Sequence, residues 1–125
     1  MQKAILVTIL LISSCEGVIA QDVAQGEKVF SRCKACHQVG EGAKNRAGPE
    51  LNGIVGRQAG TAVGFAYSDA MKDSNLTWDE DTLAEFLRNP KQKVPGSKMA
   101  SISLPQPQDI ADVIAYLKQF DATEK

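Results

Sequence analysis

With 125 residues the chain makes one small domain, and a domain of that size buries only a modest core unless a cofactor or a cross-link adds to it. Its 14 Lys and Arg against 15 Asp and Glu leave a formal net charge of -1, which excludes a global pull toward nucleic acid or an acidic membrane surface. Any electrostatic partner must be met by a local patch, and no internal repeat or low-complexity tract suggests an array or a tail.

The N-terminus reads as an export signal. Met1 to Lys3 is a short positive start, Ala4 to Ile12 is an unbroken apolar run, and Val18 and Ala20 suit the small-residue positions before a signal-peptidase cut. Residues 1–20 are therefore expected to be removed and residues 21–125 to form the single mature domain. The run is shorter than the ~20 apolar residues that a spanning helix needs, and no second hydrophobic segment follows it. The tetrapeptide Ile12-Ser13-Ser14-Cys15 also resembles a bacterial lipoprotein box, with Cys15 as the lipidated residue, although Ser14 is unusual there. If Cys15 leaves with the signal, only Cys33 and Cys36 remain, too close together to staple distant segments as an exported protein's cysteines normally do.

The mature chain alternates helices with long loops. Asp22 and Gln25 form a capping-box-like start, after which Val23, Gly26, Phe30 and Cys33 recur at helical spacing. From Gln38 to Gly64 the seven glycines and Pro49 forbid a long helix and a regular strand. Ser68 caps a short helix through Lys72. Thr77 to Glu80 is a second capping box, opening a helix with Leu83, Phe86 and Leu87 inward and Pro90 at its end. Lys91 to Met99 is again loop. Pro105 and Pro107 introduce the last helix, whose Ile110, Val113, Ile114, Leu117 and Phe120 make one apolar stripe. Loops this long are uncommon in a compact domain unless they wrap a site, and a large apolar cofactor would supply the missing core.

Cys33-Lys34-Ala35-Cys36-His37 names the candidate chemistry, and it admits three readings. A thioredoxin-like redox pair sits beside a strand–helix unit, and no strand pattern precedes Cys33. A structural zinc site needs four ligands, and the mature chain offers no fourth His or Cys. The third reading is c-type haem attachment: Cys33 and Cys36 on one side of a helical turn form thioethers with the haem vinyl groups, and His37 turns its imidazole to the iron. For a second iron ligand there is no other histidine; of the methionines, Met71 reads as core filling in a short helix, whereas Met99 follows a stiff Val94-Pro95-Gly96-Ser97-Lys98 loop.

Beyond this motif, the segments GEKVFSRCKACH, GPELNGIVGRQAG, FAYSDAMK, LTWDEDTLAEFLRNPK, VPGSKM and DVIAYLK resemble, in order, the class I cytochrome c family, and most closely its cytochrome c2 and mitochondrial-type branch. The resemblance implies an all-α cytochrome c fold of about four helices and long loops wrapped around one covalently bound haem, with Gly26 and Phe30 of the first helix crossing Val113 and Tyr116 of the last. It implies that the Pro49 carbonyl orients His37, that Met99 is the sixth ligand, and that Arg57, Tyr67 and Trp78 gather about a haem propionate. Two positions depart from the branch: Lys93 stands in place of a tyrosine and Met71 in place of an asparagine.

Lys91, Lys93 and Lys98, with Arg88, surround Met99 in the sequence, and Arg32 and Lys34 flank the cysteines, which suggests a basic ring for acidic redox partners. The expected function is that of a soluble, monomeric periplasmic electron carrier serving a cytochrome bc1-type complex, a terminal oxidase, a reaction centre or a reductase, with no nucleic-acid partner. The competing readings are the cytochrome subunit of a periplasmic dehydrogenase and a small haem peroxidase; the latter lacks a second histidine for acid–base work at an open iron.

Overall fold

The computed structural model describes residues 19–99 and 102–120; most of the expected signal segment, including Cys15, lies outside them. Among the described residues five helices follow one another: α1 (Val23–Phe30), α2 (Asp69–Lys72), α3 (Glu80–Arg88), α4 (Pro90–Lys93) and α5 (Pro107–Leu117). Among the described residues the only β pairing is an isolated antiparallel bridge between Gln58 and Thr77.

The frame is the crossing of α1 and α5. Asp22 starts α1 by accepting the Gln25 N–H at 3.0 Å. The other half of the expected box is used differently, because the Asp22 N–H donates 2.8 Å across to Oδ1 of Asp112, a buried residue of α5. Gly26 is what lets the two helices meet: a Cβ there would lie 2.0 Å from the Asp112 carbonyl oxygen and 2.8 Å from the Tyr116 Cβ. One turn on, the Phe30 and Tyr116 rings pack with centroids 5.4 Å apart. Val23, counted inward by its spacing, is exposed, since it lies in the turn before the crossing. On α5 the stripe Ile110, Val113, Ile114 and Leu117 is buried as expected, and Phe120 stacks edge-on to Tyr116.

The middle of the chain closes the other side of the core. Ser68 caps α2 by accepting the Met71 N–H at 3.1 Å. The cap of α3 is Asp79 and not Thr77: its carboxylate accepts the Thr82 N–H at 2.8 Å, while Thr77 is held in the bridge to Gln58. Leu83, Phe86 and Leu87 face inward, and Phe86 meets Trp78 at 4.9 Å. The segment after Pro90, expected as loop, forms the single turn α4. Asn89 makes that possible, because its N–H closes α3 on the Glu85 carbonyl and its side chain accepts the Gln92 N–H. The long glycine-rich loop is tied down by backbone bonds, Leu51 N–H to Gln38 O, Gly56 N–H to Trp78 O, Ala59 N–H to Leu76 O and Trp78 N–H to Arg57 O, so that it becomes one wall of a cavity.

Candidate cofactor site

After Phe30 the chain winds on in turns. The Cys33 N–H reaches the Phe30 carbonyl at 2.7 Å, and the N–H groups of Cys36 and His37 both return to the Cys33 carbonyl, at 3.1 and 2.9 Å. These turns bring Cys33, Cys36 and His37 to the wall of one open cavity lined mostly by apolar side chains. Pro49, Arg57, Tyr67, Trp78 and Met99 line the same cavity, so every expected site residue borders one space.

His37 is fixed by its far side. Nδ1 stands 2.7 Å from the Pro49 carbonyl oxygen, which can only accept, so Nδ1 carries the proton and Nε2 keeps its lone pair. Burial pushes the imidazole pKa below its usual value; the bond to Pro49 opposes this and the Arg57 charge adds to it, and the net result favours the neutral ring that a metal requires. Gly48 makes the approach possible, since a Cβ there would stand 2.4 Å from His37 Cε1. Sequence reasoning passed over Gly48, although a glycine before the proline that holds the histidine was a readable signal.

Cys33 and Cys36 are not joined to each other as a disulfide. Burial raises the Cys33 pKa, and Cys36 beside it acts in the same direction, while Arg32 only partly offsets them. A thiol whose ionisation is disfavoured in an apolar wall is a poor nucleophile for disulfide exchange. Among the described residues no three His, Cys, Asp or Glu side chains are gathered to hold a bare metal ion. The donor set suits a group that brings its own metal into an apolar slot.

The polar wall differs in part from expectation. Arg57 borders the cavity but is also clamped from behind: Nη1 lies 3.2 Å from Glu50 Oε1 and 3.1 Å from the Asn52 carbonyl, and Nη2 lies 2.9 Å from the Glu50 carbonyl. Glu50 was not picked out in the sequence because its partner is seven residues away in a loop with no period. The Tyr67 hydroxyl accepts the Ala62 N–H at 3.0 Å, which leaves its own proton to donate, and its ring stands edge-on to Phe65. Met99 is half-buried, with its N–H on Ser97 Oγ at 3.3 Å. Met71, read as core filling, packs against the core and also borders the cavity, which therefore carries two thioether side chains. Of the basic residues, Lys91 is exposed, and Lys98 borders the cavity with Nζ on the Ala66 carbonyl. Lys93 is corrected: it is paired with Glu85, because the bend at Asn89 and Pro90 folds α4 back on α3.

The family model for cytochrome c matches residues 23–121, which include the whole of this cavity. The chain belongs to the cytochrome c family. It is 48% identical over 122 residues to cytochrome c2 of Blastochloris viridis, covering 98% of this chain and 96% of that protein. It is 53% identical over 115 residues to cytochrome c2 of Rhodomicrobium vannielii, covering 92% of each. Among solved structures it matches cytochrome cH from Methylobacterium extorquens with a TM-score of 0.74 at 50% identity, over 78% of this chain and 98% of the other. As a member of this family the cytochrome binds haem c covalently, with Cys33 and Cys36 in the Cys-x-x-Cys-His spacing, and it is a one-electron carrier whose partners are redox proteins. The all-α fold expected from the resemblance holds, with α4 as the additional helix. No helix among the described residues is long and apolar enough to cross a membrane.

Proposed function

We propose that this cytochrome is a periplasmic carrier whose iron is ligated by His37 Nε2 and Met99 Sδ. The observation that carries the reading is the 2.7 Å approach of His37 Nδ1 to the Pro49 carbonyl, which assigns the ring proton to Nδ1. Held there, that proton leaves Nε2 as a donor in a cavity that Cys33, Cys36 and Met99 also border. The bound iron supplies a one-electron Fe(III)/Fe(II) couple. Cys33 and Cys36 hold the group through thioethers. Met99 would offer a soft thioether donor that favours the reduced iron and keeps other molecules away from it. Tyr67 and Trp78 offer donors toward a buried propionate, and Arg57 offers a positive charge that Glu50 partly balances.

Export rests on the apolar run Ala4 to Ile12 and on cleavage after Ala20, which would release residues 21–125 as the mature chain. Lys91 and Lys98, with Arg88, Arg32 and Lys34, would meet the acidic docking surface of a cytochrome bc1-type complex, a terminal oxidase, a reaction centre or a reductase, and the carrier would work as a monomer. The intact mass of the exported protein tests this reading. It should equal residues 21–125 plus one haem, with the colour staying on the protein in acidified organic solvent. Extraction of the colour would end covalent attachment, and a heavier species that partitions into membranes would place a lipid on Cys15.

A further inference from the structure

Asn52-Gly53 is the only Asn-Gly pair in the sequence, and the fold requires both of its residues. The two form the centre of a turn closed by the Ile54 N–H on the Leu51 carbonyl at 3.1 Å, with Gly53 at a φ of 65°, the value a glycine takes most readily at that place. The Asn52 side chain pairs with the Gly40 backbone on both sides, Oδ1 accepting the Gly40 N–H at 2.8 Å and Nδ2 donating to the Gly40 carbonyl at 2.9 Å. The Gly53 N–H, in turn, is taken by the carbonyl of Phe120, just beyond α5, at 2.5 Å. The ring of Phe120 lies over Gly40, 3.8 Å from where a Cβ on that glycine would stand.

Asn-Gly is the dipeptide in which the chain most readily attacks itself. The Gly53 nitrogen, losing its proton to a base, bonds to Asn52 Cγ; the Cγ–Nδ2 bond breaks and ammonia leaves, giving a five-membered succinimide. Water then opens the ring to aspartate or isoaspartate. Both participants are restrained here. Asn52 Cγ is pinned on Gly40, and the Gly53 N–H is committed to Phe120.

We infer that Asn52 is a conformationally gated deamidation site, closed while the end of α5 holds Gly53 and opened when that end lets go. Release frees the Gly53 N–H and uncovers Gly40 together, because Phe120 covers both. Deamidation then makes the opening permanent. A carboxylate in place of the amide has no hydrogen to give the Gly40 carbonyl and stands beside Glu50, whose Oε2 accepts the Asn52 N–H at 2.7 Å. In the isoaspartate product the extra backbone carbon displaces the Asn52 carbonyl, which holds Arg57 on the cavity wall. Modification would therefore mark chains whose C-terminal end has opened.

The test is to incubate the haem-bound protein, the Phe120→Ala variant and the wild-type chain unfolded in urea at mildly alkaline pH, and to follow the gain of one mass unit at residue 52 by peptide mapping, with isoaspartate assayed in parallel. The unfolded chain should modify Asn52 fastest, the folded wild type roughly tenfold slower or more, and Phe120→Ala in between at an unchanged visible spectrum. Asn45, Asn75 and Asn89 are internal controls, followed by Arg, Leu and a proline that has no N–H to give. Equal rates in the folded and unfolded wild type would overturn the gate. So would a Phe120→Ala rate no faster than wild type, read together with hydrogen exchange showing that its Gly53 amide has been released.

Discussion

Replacing Gly26 with alanine sets two effects of opposite sign against each other. Alanine is the better helix former in the middle of α1, a gain of about 1 kcal/mol. Against it, the new Cβ would stand 2.0 Å from the Asp112 carbonyl oxygen, 2.6 Å from its carbon and 2.8 Å from the Tyr116 Cβ, where ordinary contact begins at 3.4 Å. These are backbone and Cβ atoms, so no change of rotamer relieves the clash and the helices must part by more than an ångström. Overpacking of this kind costs about 1–3 kcal/mol. Parting also strains the bond from the Asp22 N–H to Asp112, worth about 1 kcal/mol, and loosens the contact of Phe30 with Tyr116. The net loss should be about 1–3 kcal/mol, which in a domain of this size lowers the melting temperature by roughly 4–20 °C. Guanidinium and thermal unfolding of the ferric protein measure it, with Ala24→Gly as the companion on the exposed side of the same helix, where propensity alone should cost about 1 kcal/mol. If Gly26→Ala were as stable as wild type, close packing at this crossing would not be what holds α1 against α5.

The basic patch should act through unpaired charge. Lys91→Glu should slow electron transfer to an acidic partner by about tenfold at low ionic strength and flatten its salt dependence, whereas Lys93→Glu should do clearly less because Glu85 already balances that lysine. Equal effects would mean that the pairing with Glu85 does not persist in solution. Asp79 offers a pH test: the Thr82 N–H, through its backbone, holds the carboxyl below its usual pKa. A depressed folded-state pKa contributes stability above the unfolded value of about 3.9, and the contribution is lost as pH falls through the folded value. Asparagine can cap without titrating. Wild type should thus lead Asp79→Asn at pH 7 and lose that lead near pH 3, as read from guanidinium midpoints; a lead constant with pH would exclude the cap bond as its source.

Signals that act over a few residues were legible in the sequence. The caps at Asp22 and Ser68, the prolines at the ends of α3 and the start of α5, and the α5 stripe each depend on neighbours within one or two turns, so the sequence carries them whole. Thr77 misled because its spacing to Glu80 fits a cap equally well; only the bridge to Gln58, nineteen residues earlier, assigns the role to Asp79. Pairings across the chain have no local signature. The bond from Asp22 to Asp112 spans 90 positions, and nothing near either residue announces it. The cavity lies between these cases. The residues named from the Cys33 to His37 motif and the resemblance all border it, yet the clamp of Glu50 on Arg57, the pairing of Lys93 with Glu85 and the second thioether of Met71 depend on how loops fold back.

Met99 and Met71 both border the cavity, and the far-red absorption of a ferric iron–methionine bond tells which of the two thioethers reaches the iron. The spectrum should be recorded for the wild type, Met99→Ala and Met71→Ala. The band should be present in the wild type and in Met71→Ala and absent in Met99→Ala, which should also have a lower reduction potential and bind carbon monoxide when reduced. A band that survives in Met99→Ala and vanishes in Met71→Ala would contradict the account.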